Sequence, residues 1–464
     1  MTKIYHRSYA RRRQEYDRIR DTIEGELRLK EAGQLYLRRP SGMTQQQYHD
    51  YLLGAAFYAV AERTLRGLVG AATRHEPILE LPPRLTPMQE AATFEGNSLQ
   101  VLIEQALTEV LSVGRFAMVL DYPVETSSPT ATPHIATFEA EHILDWREDL
   151  VDGKQRLTMI RLHEGNADLE DEGVEQHLLL TLEPAYTVRR LHVTTKRRGD
   201  GSSQVEQVEV HDPITPEVNG RPLFEIPVVI VSPFNLKADV EKPPFLDLVN
   251  VNLAHWRNSA DYEHALYLTA QPTPWIAGSI PADKVPTTIG SGALWHLPEG
   301  ATCGMLEFSG AGIAAQKAAM EDKVSQMAAL GARMVYSGKG RNETSDTASL
   351  RVKDELSLLH SSVVMVEAAL RKLLRIAAEW TQPGTADQVV LKLHRDFVSA
   401  QMDPATLTAL IKAWQAGAIS HDTLLMNMKK GDLMDVNRAL DDEKELIETD
   451  DRDPILGVIQ GGLA

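Results

Sequence analysis

One stretch constrains this chain more than any other. Val352, Leu356, Leu359, Val363, Val366, Leu370, Leu373, Ala377 and Trp380 recur at steps of 4, 3, 4, 3, 4, 3, 4 and 3. Steps that average 3.5 place all of them on one stripe of an α-helix. The pattern predicts a single helix over Leu350–Trp380, roughly 50 Å long at 1.5 Å per residue. Ser345 or Asp346 can cap its start, and Pro383–Gly384 ends it. So long an apolar seam must be covered, and 43% hydrophobic residues in 464 are enough for real cores.

The rest of the chain reads in blocks. Residues 14–39 and 44–74 read as helices, the second carrying an apolar face of Leu52, Ala56, Val60, Leu65 and Leu68. Pro77, Pro82, Pro83 and Pro87 break the chain, and a helix over about 98–114 follows, stopped by Gly114. Two strands flank the Ser/Thr/Pro-rich residues 123–133. Residues 151–232 are rich in short alternating runs, with a turn-rich hairpin tip at Lys196–Ser202 and an apolar strand at Ile226–Val231. After Pro243–Pro244 the pattern becomes helical over Phe245–Ala270, with Val249, Leu253, Trp256, Ala260 and Tyr267 on one stripe. Residues 272–310 are Gly/Pro-rich with short strands at Trp275–Ala277, Ala293–His296 and Met305–Phe308. An Ala-rich helix over Ile313–Val335 and a polar loop Tyr336–Thr347 lead into the seam helix. Val389–Phe397 reads as one more strand, and helices recur at Pro404–Ala416 and Thr423–Lys429.

Charge and cysteine usage narrow the function. Forty-eight Lys/Arg against 65 Asp/Glu leave a net charge of −17, which argues against a protein held to nucleic acid by phosphate neutralisation over its whole surface. Charge is also uneven. Residues 1–39 hold eleven cations against six anions, and residues 432–453 hold ten anions against three cations. Such ends are either solvated faces or contact surfaces for other subunits. The one cysteine, Cys303, excludes an intramolecular disulfide and a Cys-based zinc site, and fits a reducing compartment. Met1–Arg13 is basic and aromatic without an apolar h-region, so no secretory signal is expected, and no apolar run approaches the ~20 residues of a membrane span.

No catalytic constellation emerges. Gly338–Lys339–Gly340 lacks the Ser/Thr and the first glycine of a phosphate-binding loop. His394–Arg395–Asp396 lacks the asparagine that a kinase catalytic loop needs five residues on, where Gln401 stands. Arg198–Gly199–Asp200 is explained by a hairpin turn. No two histidines sit four apart on a helix, so no metal site is expected, nor any cofactor. For so long a chain this favours a structural or mechanical role.

Pro-Pro-Phe-Leu-Asp-Leu-Val-Asn-Val-Asn-Leu-Ala-His-Trp-Arg-Asn-Ser-Ala-Asp-Tyr-Glu (243–263), Gln-Pro-Thr-Pro-Trp-Ile-Ala-Gly (271–278), Leu-Gly-Ala-Arg-Met (330–334), Glu-Thr-Ser-Asp-Thr-Ala (343–348) and Gly-Ala-Ile-Ser-His-Asp-Thr-Leu (417–424) follow one another in order. In that order, from residue 243 onward, the chain resembles the portal (head-to-tail connector) proteins of tailed bacteriophages. No single motif carries the likeness alone. The resemblance implies an α+β, mainly helical fold. Residues 1–242 would form a wing to which strand 388–397 returns. Segments 243–271 and 311–335 would be stem helices around a clip, 272–310. Residues 336–347 would be a tunnel loop, 348–382 a long wing-to-crown helix, and 401–464 a crown.

It further implies a homo-oligomeric ring, usually of twelve subunits, at the vertex of a virion capsid and assembled in the host cytoplasm. Double-stranded DNA would pass non-specifically. The packaging terminase, a head-tail adaptor and the major capsid protein would be partners, with no membrane. On this reading Val352, Leu356, Leu359, Val363, Val366, Leu370 and Leu373 form a packing seam between subunits. Lys339 and Arg341 either face DNA from the tunnel loop or are simply solvated. An acidic tunnel would repel phosphates and let the duplex slide. Two rivals are another virion adaptor or scaffold protein, and a nucleic-acid-processing enzyme using His394 and Asp396.

Overall fold

The computed structural model describes residues 4–121, 132–151, 153–166, 174–197, 203–218, 220–269, 273–281, 285–286, 288, 293–306, 310–331, 345–395, 397, 404–430, 433–434, 438 and 440–449. In chain order the elements are α1 (Arg7–Glu24), α2 (Glu26–Ala32), α3 (Gln45–Gly54), α4 (Val60–Ala72), β1 (Ile78–Glu80), α5 (Leu99–Ser112), β2 (Phe116–Asp121) and β3 (His134–Glu139). Then come β4 (Ile143–Val151), β5 (Lys154–Asn166), β6 (Val174–Leu182), β7 (Tyr186–Arg197), β8 (Ser203–Glu209), β9 (Glu217–Val218), β10 (Arg221–Pro222) and β11 (Val228–Val231). The last are α6 (Leu246–Thr269), β12 (Thr273–Ala277), β13 (Thr302–Leu306), α7 (Ala311–Ala329), α8 (Ser345–Thr381), β14 (Val390–Lys392), α9 (Pro404–Gln415), α10 (His421–Lys430) and α11 (Leu440–Thr449). The fold is α+β with helix predominating. Among the described residues no helix is long and apolar enough to cross a membrane.

The chain forms two compact units. The first comprises Met1–Arg12, Gly67–Glu241 and Asn342–Ala464. Its centre is α5, held at its start by the Ser98 hydroxyl, which accepts from the Val101 amide at 3.3 Å, and ended where Gly114 turns to φ 82°. Leu102, Ile103, Ala106, Leu107 and Val110 of α5 are buried, as are Phe116–Leu120 of β2 and all of β11. Strands β11, β2 and β3 make a three-stranded antiparallel sheet in that order, so β2 is central and apolar on both faces. Strands β4 to β8 form a five-stranded antiparallel meander. Strand β14 pairs with β1, Ile78 opposite Lys392. The strand expected over 389–397 is therefore only three residues long.

The second unit comprises Arg13–Arg66 and Lys242–Arg341. The expected boundary at residue 242 thus misses that residues 13–66 cluster with the segment after it. Side chains of α6 explain the grouping. Asn252 accepts from the Ala61 amide at 3.0 Å and donates to the Tyr58 carbonyl at 2.8 Å. Ser259 donates to the Ala56 carbonyl at 2.7 Å, and Arg257 to the Tyr36 carbonyl at 2.8 Å. Tyr51 donates to Asp261 at 2.7 Å. These bonds also explain why 44–74 is two helices instead of one. The backbone between α3 and α4 leaves the helical ladder and is satisfied by α6. Residues 14–39 likewise divide at Gly25, whose φ of 108° only glycine adopts readily.

The seam is a correction. Leu359, Val363, Val366, Leu370 and Leu373 are fully buried inside their own unit, where α8 packs on α5, β11 and β14. These five side chains are core of their own unit and so are not left over for a neighbouring subunit; Val352 and Leu356 fall where no side chain is described. Leu370→Ala should therefore destabilise the unassembled chain by about 2–5 kcal/mol, the range for a buried leucine truncated to alanine. Urea denaturation at low protein concentration measures this. An unchanged midpoint would return the seam to the subunit interface.

Candidate functional site

In the second unit, α6 and α7 pack together and are joined through the β12–β13 hairpin. The first half of α6 is anchored, with Val249, Leu253, Trp256 and Ala260 buried. Beyond Ala260 the helix emerges: Tyr267 is 83% exposed and Leu268 is also exposed. Helix α7, 19 residues long, buries Met327 alone among its residues. It carries seven alanines and one glycine, a composition that lets another backbone come close. Burial on α6, reinforced by Lys323 of α7, keeps the His255 imidazole below its usual pKa and hence neutral near pH 7.

The hairpin pairs Thr273 with Leu306 and Trp275 with Gly304. A Cβ at position 304 would lie 3.0 Å from the indole, so glycine is what lets the ring lie flat across the partner strand. Two five-residue strands are marginal alone. Trp275, Met305 and Leu306 are exposed, as is Leu294, at 94%. The strand expected at Ala293–His296 is absent, and those described residues are irregular. Among the described residues, this helix–hairpin–helix leaves the apolar side chains of its hairpin and of the end of α6 exposed.

In the first unit the outward side of α8 faces a groove of 1120 Å³. Arg371, Lys372 and Arg375 of α8 and Arg156 of β5 line it, with Phe224 and Trp380 as its aromatic walls. Glu225 and Glu379 also line it, so the cations are in excess. Two of them have partners: Arg371 binds Glu367 at 3.3 Å, and Arg375 binds Asp387. A groove of this kind can hold carboxylates or phosphates through charge-assisted hydrogen bonds. Sequence reasoning followed the apolar stripe and passed over this one. The signal was there: residues 371, 372 and 375 sit at helical spacing off the seam.

Glu367 is the buried node of α8. Arg395 reaches both its carboxylate oxygens at 3.0 Å, and the Leu393 amide donates to it at 3.0 Å. The carboxylate thereby fastens the segment after β14 onto the helix. Arg395 is committed to this strut, which gives that member of the His394–Arg395–Asp396 triplet a structural account. His394 stacks edge-on to His75 with ring centres 4.3 Å apart. Asp396, Lys339, Arg341 and the Arg198–Gly199–Asp200 tip lie outside the described residues.

Residues 244–381 match the model of a family described as Domain of unknown function (DUF4055). No curated protein matches the chain. Among solved structures, the chain is similar to a chain of the "Neck of native GTA particle computed with C12 symmetry", at 14% identity and a TM-score of 0.42, covering 86% of this chain and 98% of that one. It is also similar to a chain of the "Neck of empty GTA particle computed with C6 symmetry", at 14% identity and a TM-score of 0.42, covering 83% and 93%.

Removing the node should show its structural weight. Glu367→Ala should cost about 1–3 kcal/mol, because a buried amide and two guanidinium bonds lose their acceptor. Glu367→Gln, which keeps one carbonyl oxygen, should cost less. Urea unfolding of both variants beside the parent gives the ranking. Equal losses would mean that side-chain volume, and not the acceptor, matters at this position.

Proposed function

We propose that the chain is a portal-type subunit: a structural, non-enzymatic part of a phage-like virion that assembles into a ring, of twelve copies by the resemblance, through which double-stranded DNA passes. The observation that carries this reading is the α6–hairpin–α7 element. One end of α6 is fixed by buried side chains and backbone-directed hydrogen bonds, while α7 and the hairpin stand largely uncovered. Identical neighbours in a closed ring would cover both, and the small residues of α7 suit close packing of helix on helix. In this reading α6 and α7 are the stem pair and residues 272–310 the clip. The exposed Trp275, Leu294 and Leu306 would meet the packaging terminase during filling and the head-tail adaptor afterwards. The wing and crown would contact the major capsid protein.

The charge supports a conduit more than a binder. At −17 per chain, a duplex is not held by the surface as a whole. Lys339 and Arg341, on the loop proposed to line the tunnel, would repeat in every subunit as two positive rings, weak and salt-screened toward each phosphate.

Two measurements test this. Light scattering with negative-stain imaging should find a ring of about 620 kDa, twelve times 51.5 kDa. A clean 51.5 kDa monomer at micromolar concentration, in both low and high salt, would overturn it. The double variant Lys339→Glu/Arg341→Glu should still form rings, while the DNA content of assembled heads falls. Failure to form rings would make that loop a subunit interface, and unchanged DNA content would remove its charge from the mechanism.

A further inference from the structure

We infer that His163, Glu175 and His177, brought together on one face of the β5–β6 pair, form a binding site for a divalent transition metal ion of the zinc class. The three come from two adjacent strands and have no helical spacing between them. Antiparallel register makes the site. His163 lies directly opposite His177, and Glu175 is two residues along β6 from His177, so the pleat puts all three on one face. A bulge between His163 and Gly165, where Gly165 adopts φ 116°, shifts the ladder just past the first histidine.

The donor atoms already converge. One ligand atom from each residue lies within 4.8 Å of the other two. The Glu175 carboxylate is 3.0 Å from Nε2 of His177, and the two histidine rings meet edge-on with centres 5.7 Å apart. Ligands about 2.0–2.1 Å from a tetrahedral ion sit roughly 3.4 Å from one another, so modest side-chain rotation closes the set. His177 is fully buried, and its Nδ1 has no hydrogen-bond partner among the described residues. A ring placed only to accept or donate one surface hydrogen bond has no need of such burial. The ring of His142 lies 5.3 Å from that of His163, tilted by 38°. Arg161, on the same face, donates to Gln207 of β8 at 3.1 Å.

The chemistry selects the ion. Two imidazoles and one carboxylate are borderline donors that suit Zn²⁺ and Co²⁺, with a fourth position for water. Mg²⁺, which wants oxygen ligands in an octahedron, is excluded by the same set. The ion would clamp β5 to β6 and would add stability only in the folded sheet.

The untagged full-length chain, stripped with chelator and dialysed, is titrated with Co²⁺ and Zn²⁺, with Mg²⁺ as control. The expected result is one tightly bound equivalent of Zn²⁺ per chain, intense visible Co²⁺ bands of tetrahedral character, and a higher melting temperature that chelator reverses. His163→Gln and Glu175→Gln, both at partly exposed positions, should keep the circular dichroism of the parent and weaken Zn²⁺ binding about tenfold or more, with loss of the Co²⁺ bands. A parent that binds no metal, or binds it no better than these variants, overturns the site. Ring assembly is read independently by mass, so neither result decides the other.

Discussion

The structure depends on the burial of one helix face inside its own unit. Helix α8 spends its apolar stripe on α5, β11 and β14. Two further features of the first unit lie on the same helix. Glu367, on the same helix, ties down the segment after β14. The opposite side of α8 is left to Arg371, Lys372 and Arg375 and faces the groove. A helix packed on one side by leucine and valine and wetted on the other by cations is fixed in rotation. Turning it would bury guanidinium groups and expose leucines, a penalty of several kcal/mol for each pair exchanged.

The second unit adds a polar device to its apolar one. Helix α6 buries Val249, Leu253, Trp256 and Ala260 and is also held by polar side chains that reach backbone groups: Asn252, Arg257 and Ser259. Its companion α7 has small side chains and little buried surface. A buried amide such as Asn252 is worth having only in one geometry, so it sets position without adding much apolar burial. Rigidity at the base and unsatisfied surface toward the hairpin is what a subunit needs if its neighbours are to complete it.

Much of this was legible in the sequence, and the failures have physical causes. The heptad steps located α8 to within a few residues, and the Pro243–Pro244 and Pro383–Gly384 breaks were read correctly as limits. The seam's partner was not legible, since periodicity says which residues share a face and nothing about what covers it. The split of 44–74 into α3 and α4 was hidden because its cause lies some 190 residues away, in Asn252. The grouping of 13–66 with α6 was hidden for the same reason. The His163, Glu175 and His177 cluster was invisible because it depends on strand register, which a bulge shifts by one residue.

With the seam accounted for inside the chain, the forces available to a ring can be weighed. In the proposed ring, twelve chains at −17 would carry about −200 in all, and that repulsion would oppose closure at low ionic strength. The long stripe of α8 no longer offsets it. What remains is local: the exposed aromatic and aliphatic side chains of the hairpin, the small-residue surface of α7, and the cationic groove of α8, which complements the acidic stretch 432–453 in sign. Apolar contacts are indifferent to salt, whereas the summed like-charge repulsion fades beyond a Debye length of about 8 Å at physiological ionic strength. Closure of such a ring is therefore governed by short-range contacts once long-range repulsion is screened. In the proposed ring, the same excess of negative charge that would oppose assembly in dilute salt would also keep a passing duplex from settling on the wall.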